Sequence, residues 1–121
     1  MKTQDLVQIL LDRKLAQLGD SFVNFAYSLA LTRSLGQPVG AKVSDKDLAE
    51  SARRAGIRKL LPKRTTRADV SNAVESLVVY AWLERLMSID EVTAILQKEV
   101  DHPPDAFATL SQMILGKLAD R

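Results

Sequence analysis

Apolar residues recur along most of this chain at intervals of three and four positions, the spacing that places them on one face of a helix. The pattern is strongest in segment 68–85, ADVSNAVESLVVYAWLER, where we expect Tyr80 and Trp82 to lie in the core. It also covers a segment that extends to Ser34 and shorter segments at about 4–12, 44–55, 88–100 and 105–119. No alternating run typical of a strand stands out, so the sequence predicts an all-α fold.

Residues that favour loops, caps and helix ends lie between the apolar segments. They are Gly36, Pro38, Gly40, Ser44, Gly56, Pro62 and Ser88. Pro103-Pro104 predicts a break, after which the last helix should begin near residue 105. The chain has 121 residues and no low-complexity linker, so we expect a single helical domain over 1–121.

Composition excludes several classes of site. The chain has no Cys and one His, which leaves no disulfide, zinc-thiolate site, thiol nucleophile or His-rich metal site. The opening residues, MKTQDLVQILLDRK, lack a continuous apolar segment, and no apolar run is long enough for a membrane span. We therefore expect a cytoplasmic protein without a membrane partner, and place His102 in a loop.

Positive charge is concentrated in one part of the chain, although the formal net charge is only +2. Residues 53–67 contain no acid and seven cations, which are Arg53, Arg54, Arg58, Lys59, Lys63, Arg64 and Arg67. A local excess of this kind indicates a polyanionic partner. The alternative is an ordinary solvated helix face and loop.

Gly19 and Asp20 interrupt the apolar stripe of QLGDSFVNFAYSL (17–29). Gly costs about 1 kcal/mol in a helix interior, and Asp prefers caps. One explanation is a helix break, with Gly19 as the stop and Asp20 as the next N-cap, although Val23 leaves the capping box incomplete. The other explanation is that Asp20 lies inside the helix because its carboxylate has a functional role.

Glu75 is a second anomaly, because it lies on the most apolar helix, where it shares a polar stripe with Ser71 and Asn72. A buried carboxylate needs a cation, a hydrogen-bonding network or a proton. If the two helices pack side by side, Asp20 and Glu75 could converge on one hard cation such as Mg²⁺ or Mn²⁺. A solvated face or an ion pair with an Arg is the alternative for Glu75.

Two motifs resemble those of the ribonuclease III family. LGDS (18–21) is similar to its signature, in which a Leu-Gly-Asp lies inside a long helix and the Asp is a catalytic metal ligand. NAVESLVVYAWLE (72–84) is similar to its second motif, where a Glu at the start of a buried helix completes the metal site. The order of the motifs also matches. The resemblance covers about 13–86 and implies a ribonuclease III-like endonuclease-domain helical bundle.

Three positions depart from the pattern of the larger enzymes of that family. Ala16 and Asn72 stand where those enzymes carry acids, and Arg13 stands where the extended signature often begins with Glu. Compact members without a double-stranded-RNA-binding domain, the mini-ribonuclease III group, keep chiefly the Gly-Asp and the Glu. The chain resembles that compact form, whose members act on structured RNA, including ribosomal RNA precursors.

The resemblance implies a Mg²⁺- or Mn²⁺-dependent endoribonuclease, or phosphodiester hydrolase, that acts on double-stranded or structured RNA. Asp20 and Glu75 would hold the metal, and Asn72 would support the metal or its water. Near the site, phosphates would be held by Lys63, Arg64 and Arg67. The footprint would extend over Arg53, Arg54, Arg58 and Lys59.

The resemblance also implies a homodimer, whose paired sites cut opposite strands. Phe22, Phe25 and Tyr27 exceed what one core stripe requires and are candidates for its interface. A second hypothesis, favoured by Ala16 and Asn72, is a catalytically weakened relative that binds structured RNA or a ribosomal particle. A third is a helical interaction protein that binds no nucleic acid.

Overall fold

The computed structural model describes all residues, Met1–Arg121, and it contains six α-helices and no strand, as the sequence predicts. The helices are α1 (Thr3–Leu10), α2 (Arg13–Leu35), α3 (Asp45–Ala55), α4 (Arg67–Leu83), α5 (Ile89–Lys98) and α6 (Pro103–Ala119). A short 3₁₀ helix, Arg58–Leu60, lies between α3 and α4. None of the helices combines the length and apolar character that crossing a membrane requires.

Helix α4 is the centre of the bundle. It packs against α1, α2, α3 and α6, and buries residues on several sides along its length. Its small and β-branched side chains, such as Ala73, Val74 and Val78, are completely buried. Helix α2 lies along α4 and also contacts α5, while α3 packs on α6. The segments that carry Asp20 and Glu75 therefore lie on neighbouring helices.

Helix α2 runs without interruption through Gly19 and Asp20, so the predicted alternative of a helix break is wrong. The helix begins at the N-cap Asp12, whose carboxylate accepts hydrogen bonds from the backbone N–H groups of Lys14 and Leu15, both at 3.0 Å. It ends at Gly36, whose φ of 73° is the left-handed conformation typical of a helix C-cap. Both caps lie far from the Gly-Asp pair, which is an internal feature of the helix.

The remaining helix ends agree with the sequence signals except at α6. Ser44 and Ser88 are N-caps, as predicted, and Ser88 forms a capping box with Glu91. The expected break at Pro103-Pro104 is instead the first turn of α6, which begins at Pro103. The first turn of a helix tolerates proline, because its N–H groups have no partner within the helix.

The aromatic residues divide between core and surface. Tyr27 is buried and donates a hydrogen bond to the Val100 carbonyl oxygen at 3.0 Å, so it belongs to the core and not to a candidate interface. Trp82, expected in the core, packs against Phe22 with ring centroids 5.0 Å apart but stays 39% exposed. Phe25 on α2 is 59% exposed. The exposed aromatic surface therefore lies where α2 meets the end of α4.

Candidate functional site

The contact between α2 and α4 depends on the absence of a side chain at Gly19. A Cβ added to Gly19 would lie 2.2 Å from the carbonyl oxygen of Glu75 and 2.5 Å from its carbonyl carbon. Real Cβ atoms do not approach a backbone so closely, so any other residue would push the helices apart. The Gly in the helix interior is explained by this close approach of two backbones.

Asp20, the next residue of α2, lines the same cavity as Glu75, and the volume of that cavity is about 650 Å³. Glu75 is only 4% exposed, which rules out the solvated-face alternative, and no Arg or Lys forms an ion pair with it. Burial raises the pKa of Glu75 to about 8, helped by a hydrogen bond to Asp20 and by the charges of Asp20 and Asp45. Burial beside other acids therefore favours the protonated form of Glu75 at neutral pH.

The cavity is polar and mainly acidic. It is lined by Arg13, Ala16, Gln17, Asp20, Lys42, Asp45, Asp69, Asn72 and Glu75. Four of these residues are acids and two are bases, so the cavity favours a cation over an anion. Asn72, predicted to support a metal, lies in this lining beside Glu75.

Hydrogen bonds connect the cavity wall across three parts of the chain. Asn24 donates to the Asp20 carboxylate at 3.2 Å, and its own amide oxygen accepts from the Val43 backbone N–H at 2.8 Å. On the other side, the Ser71 hydroxyl of α4 donates to Asp45 Oδ1 at 3.1 Å. The segment that leads into α3 is thereby held against both α2 and α4.

The residues of the cavity fit a small, hard divalent cation. Carboxylate and amide oxygens are the ligands that Mg²⁺ prefers, and Mg²⁺ often uses only one or two carboxylates while keeping several waters. No group of three or more His, Cys, Asp or Glu residues is placed to hold an ion. Ala16 is buried in the lining and supplies no ligand oxygen. The pair of Asp20 and Glu75, beside Asn72, is the arrangement that could hold Mg²⁺ or Mn²⁺.

Four charged residues of this cavity were absent from the predicted site. They are Arg13, Lys42, Asp45 and Asp69. Asp45 is the first residue of α3, and an acid in the first turn of a helix is common for reasons that concern only the helix dipole. No local pattern could distinguish this acid from any other, because its place in the cavity depends on how α3 is set against α4.

The predicted cationic run separates into two groups. Arg53 and Arg54 both donate to the Glu50 carboxylate, at distances from 2.5 to 2.9 Å, and Arg54 also contacts Asp105. Arg58 donates to two backbone carbonyls of the following loop, at 3.0 and 3.3 Å. The cations whose side chains are exposed without any protein acceptor are Lys59, Lys63, Arg64 and Arg67.

A comparison with models of protein families matches residues 13–120 to the family described as Ribonuclease III. The matched region contains both motifs and every residue of the cavity described above. A comparison with curated proteins gives no match. The match covers nearly the whole chain, which therefore belongs to the ribonuclease III family, a family of RNA-processing endoribonucleases.

Proposed function

We propose that this chain is a divalent-metal-dependent endoribonuclease that cleaves double-stranded or structured RNA, with ribosomal RNA precursors among its candidate substrates. One observation carries the proposal: Asp20 and Glu75 line one acidic cavity, and the buried Glu75 forms no salt bridge with any Arg or Lys. A buried carboxylate of this kind must either keep its proton or bind a cation.

In this proposal Asp20 and Glu75 would hold Mg²⁺ or Mn²⁺, and Asn72 would support the metal or its water. When bound, such an ion activates water and stabilises the charge that develops on the phosphodiester. Because metal ligands must be deprotonated, Glu75 would have to give up its proton for the ion to bind beside Asp20. Asn24 donates a hydrogen bond to the Asp20 carboxylate and is itself held by the Val43 backbone N–H, so these contacts keep the carboxylate in place.

The exposed cations lie on the segment that leads into the helix of Glu75. Lys63 and Arg64 precede α4, and Arg67 is its first residue. Arg67 and Glu75 are separated by about two helical turns, or roughly 12 Å along the axis. We propose that these cations hold the phosphate backbone beside the cavity. Binding should follow the shape of the A-form duplex and weaken with salt.

We also propose a homodimer built on an apolar face of α2. Leu18, Phe22, Phe25 and Leu29 follow the alternating spacing of four and three that is typical of packing against another helix. Leu18 is 45% and Phe25 is 59% exposed, and the exposed Trp82 continues the face. A second copy of the chain is the proposed occupant, so that two sites can act on the two strands of a duplex.

The second candidate function is structured-RNA binding by a catalytically weakened relative. Two observations favour it: no third acid is placed to hold an ion, and the positions that carry acids in the larger enzymes are Ala16 and Asn72. Fewer carboxylates would weaken metal binding while leaving the exposed cations in place.

The test is cleavage of a duplex RNA by the purified protein with Mg²⁺ or Mn²⁺. We expect short products, and a loss of about 10²-fold or more for Asp20→Asn, because the metal contributes several kcal/mol to the transition state. The matched control is Asp5→Asn, which alters an exposed acid of α1. Equal cleavage by Asp20→Asn would refute the assigned site. Tight duplex binding without cleavage in either metal would select the weakened relative.

A further inference from the structure

Two cations, Arg13 and Lys42, line the acidic cavity, and neither takes part in an ion pair. Arg13 is the first residue of α2, and Lys42 lies in the loop between α2 and α3. Both side chains are exposed, and neither forms a salt bridge with any acid of the chain. The cavity therefore contains positive charge that the folded protein itself leaves unpaired.

The position of Arg13 is unfavourable for the helix that carries it. The first turn of a helix is the positive end of its dipole, so acids are preferred there and cations are disfavoured. The first turn of α2 contains no acid, and its N-cap, Asp12, uses its carboxylate to accept from two backbone N–H groups. Lys14 shares this turn but does not line the cavity. A cation that opposes the helix dipole and also faces a candidate active site indicates a role in function.

A phosphodiester that enters this cavity meets an excess of acids, because four acids and two bases line it. Cations within the lining would offset the repulsion between these acids and a phosphate. Lys63, Arg64 and Arg67 do not line the cavity, so this charge has to come from Arg13 and Lys42. Arginine suits the purpose, since its planar guanidinium can donate two parallel hydrogen bonds to one phosphate.

We propose that Arg13 is a catalytic residue that contacts the non-bridging oxygens of the scissile phosphate, with Lys42 as a second cation on the same phosphate. Hydrolysis joins the oxygen of a water molecule to phosphorus and breaks the bond from phosphorus to one ribose oxygen, which gains a proton. Arg13 stays protonated and stabilises the negative charge on the phosphoryl oxygens during this step. This inference rests on the proposed function, since it requires that RNA is cleaved at this cavity.

The test is steady-state cleavage of a duplex RNA by the full chain that carries Arg13→Gln. We expect kcat to fall about 10²-fold or more with a much smaller change in KM, because the contact strengthens as charge develops on the phosphate. Lys14→Gln is the matched control, because Lys14 is an exposed cation of the same helical turn outside the cavity. Its kcat should equal that of the wild type. An equal loss in both variants would mean a general charge effect and would overturn the proposal.

Three further measurements separate a contact with phosphate from a structural role. Titration calorimetry without RNA should show that Arg13→Gln binds Mn²⁺ at least as tightly as the wild type, because a like charge has left the lining. The variant should unfold at the same urea concentration or a higher one, because the cation opposes the helix dipole. Arg13→Lys should recover part of the lost kcat, since it keeps the charge without the planar fork. Lower stability, or Mn²⁺ binding that weakens as much as kcat, would contradict a direct role.

Lys42→Gln tests the second cation by the same cleavage assay, with Lys98→Gln on the exposed surface of α5 as its control. We expect a smaller loss of kcat than in Arg13→Gln, because lysine acts as a point charge on a flexible stem. An unchanged kcat would overturn the part assigned to Lys42.

The cleavage assay also separates this inference from the proposed function. If the wild type cleaves duplex RNA and Arg13→Gln cleaves it equally well, the role of Arg13 is overturned and the proposed function stands. If the wild type cleaves no RNA in either Mg²⁺ or Mn²⁺, the proposed function fails and this inference fails with it. If Arg13→Gln alone loses kcat while Mn²⁺ binding and stability are kept, both are supported.

Discussion

Gly19 and Glu75 are in backbone contact, and this contact sets the distance between the two helices that carry the candidate site. A Cβ at position 19 would meet the Glu75 carbonyl oxygen at 2.2 Å and the Glu75 Cβ at 3.0 Å. The glycine is needed for this approach and not for an unusual φ, since it lies within a regular helix. The residue after it, Asp20, is thereby carried to the edge of the cavity in which Glu75 is buried.

Gly19→Ala should therefore destabilise the protein, although alanine is the better helix former. We expect a loss of about 1–3 kcal/mol, the usual consequence of overpacking a core, because the backbone of Glu75 cannot move without shifting α4. Urea unfolding followed by circular dichroism measures this change. The same variant should also bind Mn²⁺ more weakly, because Asp20 and Glu75 would be moved apart.

Gly116→Ala is the matched control for this substitution. Gly116 also lies inside a helix, α6, but a Cβ there would have no neighbour within 4 Å. We expect it to be neutral or stabilising by up to roughly 1 kcal/mol, as helix propensity predicts. A Gly19→Ala protein as stable as Gly116→Ala would contradict the close approach.

The metal-free protein should lose stability as the pH rises from about 5 to 8. The pKa of Glu75 is raised to about 8 from an ordinary 4.5, chiefly by burial, so the folded state keeps a proton that the unfolded state releases. Stability falls with pH wherever the folded state binds more protons. Urea unfolding in EDTA across this range, for the wild type and Glu75→Gln, measures the effect, and the slope should be flatter in Glu75→Gln.

Other shifted carboxyl groups do not interfere with this measurement. Hydrogen bonds and charges from Arg53 and Arg54 lower the pKa of Glu50 to about 2, and hydrogen bonds from Ser88 lower the pKa of Glu91. Both groups contribute stability that is lost only at more acidic pH. Identical pH slopes for the wild type and Glu75→Gln would show that Glu75 is not held neutral in the folded protein.

Exposed cations should contribute more to RNA binding than those already held by the protein. Arg64→Gln should weaken binding to a duplex and reduce the slope of log affinity against log salt by about 1, if Arg64 contacts a phosphate. Arg53→Gln is the control, because Glu50 already holds that guanidinium. Affinity is measured at several salt concentrations. Binding that does not respond to salt at all would favour a helical interaction protein over an RNA-binding one.

Phe25→Glu should convert the proposed homodimer into a monomer, because it places a charge in the apolar face of α2. Sedimentation velocity measures the change in mass. Leu35→Glu is a closely matched control, since Leu35 is also 59% exposed on α2 but lies outside the spacing of that face. A wild type that is monomeric at every concentration, or a loss of dimer in both variants, would contradict the proposed interface.

Much of the fold was accessible from local sequence patterns. The three-and-four spacing located the helices, and Ser44 and Ser88 marked two of their starts, because a cap and an apolar stripe are properties of neighbouring residues. The start of α6 was expected near residue 105 but lies at Pro103, since proline both ends one helix and is accepted in the first turn of the next. Sequence spacing alone cannot tell which of the two occurs.

The sequence by itself determined that the chain is helical, that Gly19-Asp20 and Glu75 are out of place on apolar stripes, and that cations are concentrated between Arg53 and Arg67. Tertiary structure decided the rest, because burial and distance depend on elements far apart in the chain. The packing of α2 on α4 buried Glu75 beside Asp20, and the seating of α3 brought Asp45 into the same cavity. The pairing of the cations is partly local, since Arg53 and Arg54 contact Glu50 three and four residues away on one helix, and only the contact of Arg54 with Asp105 required the tertiary structure.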